Sequence, residues 1–183
     1  MQDEERLVRR AQQEPEAFAQ LYEEYFNRIY RYIVLRIGSE VEAEDLTQQV
    51  FLNALKSISS FKWKGIPFSA WLFRIAHNQV VDYLRKRAKH MTEPLNGMAL
   101  AAVSDDNPQL EVERKLDIEQ VLVATQRLTE AQREVISLRF TSGLSVAEVA
   151  RVMSKSEGAV KALQHSAIVA LRKVLITRES KNG

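Results

Sequence analysis

Ser145–His165, SVAEVARVMSKSEGAVKALQH, is the stretch on which the fold turns. Val146, Val149, Ala150 and Met153 recur at helical spacing and face one way. A polar turn of Ser154, Lys155 and Ser156 interrupts them, and Ser156 is placed to cap the next helix. At about 100° per residue, Val160, Leu163, Ala167, Leu171 and Val174 then share one arc. Glu157, Lys161, Gln164, His165, Ile168 and Arg172 take the opposite arc. Ala150 is small enough to let the two helices cross closely. The pattern predicts two short amphipathic helices on a tight turn, the second presenting a polar face.

Working outward, Ser145 with Glu148 and Thr129 with Gln132 read as capping boxes. They open helices near 146–153 and 130–141, and Gly143 suits the left-handed position that ends the latter. With a helix near 157–176 this makes a three-helix unit. Such a unit reads DNA by laying its second helix in the major groove. Lys161 would donate to guanine or phosphate, and Gln164 would pair with adenine. A generic helical hairpin would show the same apolar pattern.

The N-terminal half is also helical. A first helix spans roughly 3–13, and Pro15 opens a second to about 36, with Phe18, Leu21, Tyr22, Tyr25, Ile29 and Ile33 on its apolar face. Gly38 ends it. Ser39 with Glu42 forms a third capping box, starting a helix to about Ile58 whose buried stripe is Leu46, Val50, Leu52/Asn53 and Leu55. A loop, SSFKWKGIPF, leads to a helix from about Phe68 to Lys89. Residues 91–110 hold two of the four prolines and no lysine or arginine, which marks a linker. A further helix is expected near 111–127. No alternating strand pattern occurs. The expected fold is all-α: two small helical domains, 1–90 and 111–178, on a flexible linker at 91–110, with a tail at 179–183 and a helix-turn-helix in the second domain.

Composition narrows the function. The 183 residues contain no cysteine, which excludes disulfides and thiolate metal sites, and three scattered histidines make no zinc cluster. We expect no metal and no cofactor. Neither a membrane span nor a secretory signal is legible, so the expectation is a bacterial-type cytosolic protein without membrane insertion. A net charge of +2 conceals a partition. Residues 56–90 carry 8 Lys/Arg against Asp82 alone, and residues 120–183 carry 10 against 5 acids. Residues 1–55 and 91–119 are acidic. Basic blocks track phosphates and acidic ones are repelled by them.

The first basic block interleaves rings with cations: Phe61, Lys62, Trp63 and Lys64 in the loop, then Trp71, Phe73, Arg74, Asn78, Tyr83 and Arg85. Trp71 and Ile75 read as core. Exposed rings beside cations hold single strands, by stacking worth about 1–3 kcal/mol per base. Asn78 is placed to read the edge of an extruded base. A basic amphipathic helix packed in a core is the plainer alternative.

With these motifs in view, the chain resembles a bacterial RNA polymerase sigma factor of the extracytoplasmic-function (ECF) group of the sigma-70 family, over nearly its whole length. AEDLTQQVFLNAL resembles the helix that docks on the clamp helices of the polymerase beta-prime subunit. FSAWLFRIAHNQVVDYLRKR resembles the helix that melts and reads the minus-ten element. LTEAQREVISLRFTSGLSVAEVARVMSKSEGAVKALQHSAIVALRK resembles the domain that reads the upstream minus-thirty-five element.

The resemblance implies that Asp45, Leu46, Gln48, Gln49 and Phe51 lie at the polymerase contact. It implies that Asn78 helps capture a flipped minus-ten base beside a pocket formed by Phe61–Phe68. Arg74, Arg85 and Arg87 would follow the strand backbone, with Phe61, Lys62, Trp63 and Lys64 beside it. Ser156, Glu157, Lys161, Gln164 and His165 would meet upstream DNA. The implied partners are RNA polymerase core (beta-prime clamp helices and beta flap), promoter DNA both duplex and single-stranded, and an anti-sigma factor. The sequence departs from the family pattern in having Leu163, Ser166 and Ile168 where arginines are usual, Gln164 for a leucine, and Ser154 for the turn glycine.

Elementary energetics agree that a large partner is needed. Opening about ten base pairs at about 1.4 kcal/mol per step costs on the order of 15 kcal/mol. Stacking a few bases recovers only a fraction of that. An acidic docking face (Glu40, Glu42, Glu44, Asp45) apart from the basic one is the natural corollary, although acids also stabilise a helix N-terminus. Two other classes compete. A two-domain helix-turn-helix regulator that is not a sigma subunit leaves the Phe61–Arg87 cluster unexplained. A magnesium-dependent helical hydrolase using Glu23, Glu24, Glu42 and Asp45 lacks a phosphate cradle and a nucleophile–base pair. We therefore expect no catalytic residues.

Overall fold

Helices account for nearly all of the regular structure in the computed structural model, which describes residues 2–90, 125 and 127–179, with side chains to Lys173. The expected linker and the helix near 111–127 fall almost wholly outside these residues. In the first module α1 (Gln2–Ala11) leads to α2 (Pro15–Ile37), α3 (Glu40–Ser57), a short 3₁₀ turn (Ile58–Ser60) and α4 (Phe68–His90). In the second, α5 (Glu130–Ile136) runs into a π turn (Ser137–Thr141), followed by α6 (Val146–Met153) and α7 (Glu157–Glu179).

Local chemistry sets the boundaries. Pro15 occupies the first turn of α2, where its missing N–H costs nothing. Gly38 ends α2 at φ 72° and returns its N–H to the Val34 carbonyl. Thr129 and Ser145 each form a reciprocal capping box, with Gln132 and Glu148. The box expected at Ser39 is half made. Ser39 accepts from the Glu42 N–H, but the Glu42 carboxylate is instead hydrogen-bonded with Tyr83 of α4. The helix expected over 130–141 loosens into the π turn, with Ser142 closing it onto the Ser137 carbonyl. Gly143 adopts φ 69°, as its position requires. Ser154 makes the helix-turn-helix turn at φ 53°, a left-handed conformation that carries strain for a residue with a side chain.

The core begins with α2, whose Phe18, Leu21, Tyr25, Ile29 and Ile33 are buried while Tyr22 stays partly open. α3 packs on it differently from expectation. Ala43, Thr47, Val50, Phe51 and Ala54 point inward, and Leu46 is half-buried. Leu52 and Leu55, expected in the stripe, are 50% and 43% exposed. The reason is geometric: positions 43, 47, 50, 51 and 54 form one helical face, Leu52 falls on the opposite one and Leu55 on the flank between them. α4 contributes Phe68, Leu72, Phe73, Ala76 and Val80, with Trp71 and Ile75 half-buried against it.

The two modules pack against each other. Val135, Leu138, Leu144, Val149, Ala150, Val152 and Val160 of the second continue the core of the first. Leu128, Ile136 and Ala167 make a smaller satellite. Ile168, expected on the open arc of α7, packs against that satellite instead.

Candidate nucleic-acid interface

Three surfaces carry the residues singled out from sequence. On α3, Asp45, Gln48 and Gln49 are exposed, and Gln49 donates to Asn53 at 3.0 Å. Phe51 is not at the surface. It is 4% exposed and meets Phe18, Tyr22 and Phe26, so it supports the helix from behind. In its place the fold exposes Leu52, Leu55 and Val41. Val41, Asp45, Gln48, Leu52 and Leu55 succeed one another at i, i+4, i+7, i+11 and i+14, a single apolar and acidic stripe. Sequence reasoning missed the two leucines because it assigned them to the core. Beneath the acidic end, burial together with Glu40 and Glu44 pushes the Tyr30 hydroxyl up to about 12.

The second surface is the loop before α4 and α4 itself. Phe61, expected as an open ring, is 6% exposed and sits at the centre of an aromatic cluster. Its ring centroid lies 5.5 Å from Trp63, 5.7 Å from Phe68 and 5.2 Å from Trp71. It is buried because the loop folds back onto the start of α4. Trp63 is half-buried, and its Nε1 is enclosed without a hydrogen-bond partner. Lys62 and Lys64 flank it in sequence and are exposed, as is Ile66. Arg74, Asn78 and Arg85 are exposed along α4; Arg85 pairs with Asp82 at 2.8 Å. Arg87 is half-buried and donates to the Ile37 carbonyl at 3.3 Å. Burial, with Glu42 as hydrogen-bond partner, pushes neighbouring Tyr83 up to about 12.

One residue outside the motifs orders this loop. Gln12, just after α1, donates from Nε2 to the carbonyls of Ile58 at 3.0 Å and Phe61 at 2.8 Å. A lone glutamine after an amphipathic helix carries no sequence signal for that role.

The third surface is α7. Ser156 caps it by accepting from the Ala159 N–H at 3.2 Å. Glu157, Lys161 and His165 are exposed on one side. Gln164 is half-buried, and its side-chain oxygen accepts from Arg139 Nε at 3.0 Å. Arg139 also donates to the Leu144 carbonyl, so it ties α7 to the segment before α6. Gln164 is therefore held within the module, unlike Lys161 and His165.

Between the modules lies a polar cluster that no motif announced. The Glu134 carboxylate of α5 accepts from the Tyr32 hydroxyl at 2.6 Å and from Arg36 Nε at 2.5 Å. His77 of α4 presents Nδ1 2.9 Å from the oxygen that Tyr32 binds. The Arg36 and Glu134 side chains are 1% and 3% exposed. Burial pushes the Glu134 carboxyl up, but the His77 hydrogen bond and the Arg36 charge outweigh it and hold it below the usual carboxylate range. Arg36 also pairs with Glu130. Around the cluster, Arg28 donates to the Ser142 carbonyl at 2.6 Å, Ser69 to Glu148 at 2.8 Å and Arg74 to the Arg151 carbonyl at 3.3 Å. A signal did exist. Glu134 and Arg36 each fall on an otherwise apolar helical face, which a charge occupies only with a partner. Pattern alone does not say which partner.

Family models recognise both halves. Sigma-70 region 2 matches residues 21–90, and Sigma-70, region 4 matches residues 124–173. ECF RNA polymerase sigma factor SigW of Bacillus subtilis is 30% identical over 171 residues, covering 87% of this chain and 89% of SigW. This chain belongs to the ECF sigma factors. ECF RNA polymerase sigma factor BldN of Streptomyces coelicolor is 42% identical over 170 residues, which is 92% of this chain and 64% of BldN, so the chain spans under two thirds of that relative's length. Two solved structures share the fold. CnrH, in complex with the cytosolic domain of CnrY, superposes with a TM-score of 0.74 at 24% identity, over 95% of this chain and 97% of CnrH. The sigma factor RpoE, in complex with the anti-sigma factor NepR from Bartonella quintana, gives 0.70 at 23% identity, over 86% and 96%. No helix among the described residues is long and apolar enough to cross a membrane.

Proposed function

We propose that this ECF sigma factor is the promoter-specificity subunit of a bacterial RNA polymerase, active in the cytoplasm, and that it catalyses no covalent step itself. The observation that carries this reading is the pairing of region 2 and region 4 matches in one chain, each falling on a module with its own exposed cations. In this reading the module of residues 1–90 docks and opens, and the module of residues 111–178 grips upstream duplex. The α3 stripe meets the polymerase clamp: Leu52 and Leu55 supply apolar area while Asp45 and Gln48 supply polarity. Lys62, Lys64, Arg74 and Arg85 track a separated strand, with Trp63 and Asn78 meeting an unstacked base. Lys161 and His165 enter the upstream groove, and region 4 rests on the beta flap. One neighbour in fold, RpoE, was solved in complex with the anti-sigma factor NepR, which supports an anti-sigma factor here.

The test is transcription in vitro with polymerase core and this chain on a genomic promoter library. Start sites absent from core alone are expected. Asn78→Ala is expected to lower promoter opening, read by permanganate reactivity, more than closed-complex binding. Equal loss of both removes Asn78 from strand capture, and no new start sites refutes the function.

A further inference from the structure

The cluster around Glu134 has no role in promoter recognition as proposed, and the arrangement it holds conflicts with that function. Minus-ten and minus-thirty-five elements lie about 25 base pairs apart, or about 85 Å at about 3.4 Å per pair. Here Ser69 at the start of α4 touches Glu148 of α6 at 2.8 Å. Arg74, assigned to the DNA strand, instead donates to a carbonyl of the helix-turn-helix. A chain in this arrangement does not span both elements.

We propose that this form is a self-docked state in which Tyr32, Arg36 and His77 of the first module form a receptor for Glu134 of the second, and that it competes with promoter engagement. The chemistry makes the cluster a latch rather than a fold determinant. Its donors sit on α2 and α4 and its acceptor on α5, so separating the modules returns Arg36 and Glu134 to water. Removing one member leaves an uncompensated buried charge only in the closed state. The substitution costs the open state nothing at this cluster, whereas opening itself exposes the apolar residues that the two modules share. Arg36 Nη1 is buried without a partner even in the intact cluster, and the other carboxylate on Arg36, that of Glu130, is 59% exposed and sits on the same helix α5, so it does not take the place of Glu134 inside. Replacing both members by apolar residues removes the stranded charge and permits closure again. Closure itself does not depend on the promoter reading; its consequence for initiation does.

The absence of native cysteine gives a clean probe. In full-length chain carrying Ser69→Cys and Glu148→Cys, oxidation is expected to form an intramolecular disulfide, seen by non-reducing electrophoresis. Adding Glu134→Gln is expected to slow that cross-link at least tenfold, and Arg36→Met with Glu134→Leu to restore it. Circular dichroism of the same samples shows whether the helices persist. The oxidised chain is expected to lose at least tenfold in transcription with core polymerase and to regain it on reduction, with wild type unaffected by either treatment. No cross-link, or a cross-link indifferent to Glu134→Gln, overturns the latch. Equal transcription by oxidised and reduced chains overturns the competition. A cross-link that responds to Glu134→Gln in a chain inactive with polymerase in every form supports the latch and refutes the proposed function.

Discussion

Gln12→Leu isolates the ordering of the aromatic loop from its chemistry. The glutamine touches no residue assigned to DNA through its own side chain except by way of backbone. Its amide nitrogen donates to the Ile58 and Phe61 carbonyls, one on each side of the turn that launches Lys62, Trp63 and Lys64. Leucine fills similar volume and donates nothing. Both bonds are part-buried, so each contributes about 1 kcal/mol net, and losing the pair costs about 2 kcal/mol of loop order. That is a factor of about 30 in the ordered population. Strand capture draws on the ordered population only, so apparent affinity weakens by as much as that factor. The assay is fluorescence anisotropy of a labelled single strand carrying the minus-ten sequence, titrated with core polymerase plus the variant. Affinity for upstream duplex serves as control and is expected to stay within twofold. Gln12→Glu, equal in shape but an acceptor, is expected to lose at least as much. Strand affinity unchanged in both variants, with amide exchange across 58–64 unchanged, refutes the loop-ordering role.

Burial and charge set further expectations. Phe51→Ala is expected to lower stability by about 3–5 kcal/mol in denaturant unfolding, because it empties a site among Phe18, Tyr22 and Phe26. Leu52→Ala, at an exposed position, is expected to change stability by under about 0.5 kcal/mol yet weaken polymerase binding in a pull-down titration; the reverse pattern would return Leu52 to the core. Lys161→Ala is expected to weaken upstream duplex binding and, where its contact is a phosphate, to reduce the salt slope by about 1. Loss of core binding instead would overturn the division of labour between modules. Module closure is expected to depend on pH through Glu134, whose carboxyl lies below its ordinary 4.5 in the closed form. A depressed value means that closure is fully supported above about pH 4.5 and lost as pH falls from there through the depressed value. Small-angle scattering against pH checks this, and Glu134→Gln is expected to abolish the dependence.

What the residues determine by themselves is local. The helix-turn-helix is written in Val149, Ala150, Val160 and Ala167 at helical spacing, and its boundaries in Thr129, Ser145, Ser156 and Gly143. Those signals act within a few residues of themselves, so they survive any packing. The exposure of Lys161, Asn78 and Arg85 was legible for the same reason, since charge and amide resist burial without partners. Tertiary structure decided which way an ambiguous face turns. Phe51, Phe61, Leu52 and Leu55 all lie in segments with more apolar residues than one face holds, and only the neighbouring helices choose among them. The same holds for Arg36, His77 and Glu134. Each marks an unusual charge on an apolar face, but a carboxylate on α5 meets a guanidinium on α2 only when two modules close, because a Coulomb partner across nearly a hundred residues is set by the fold and not by spacing.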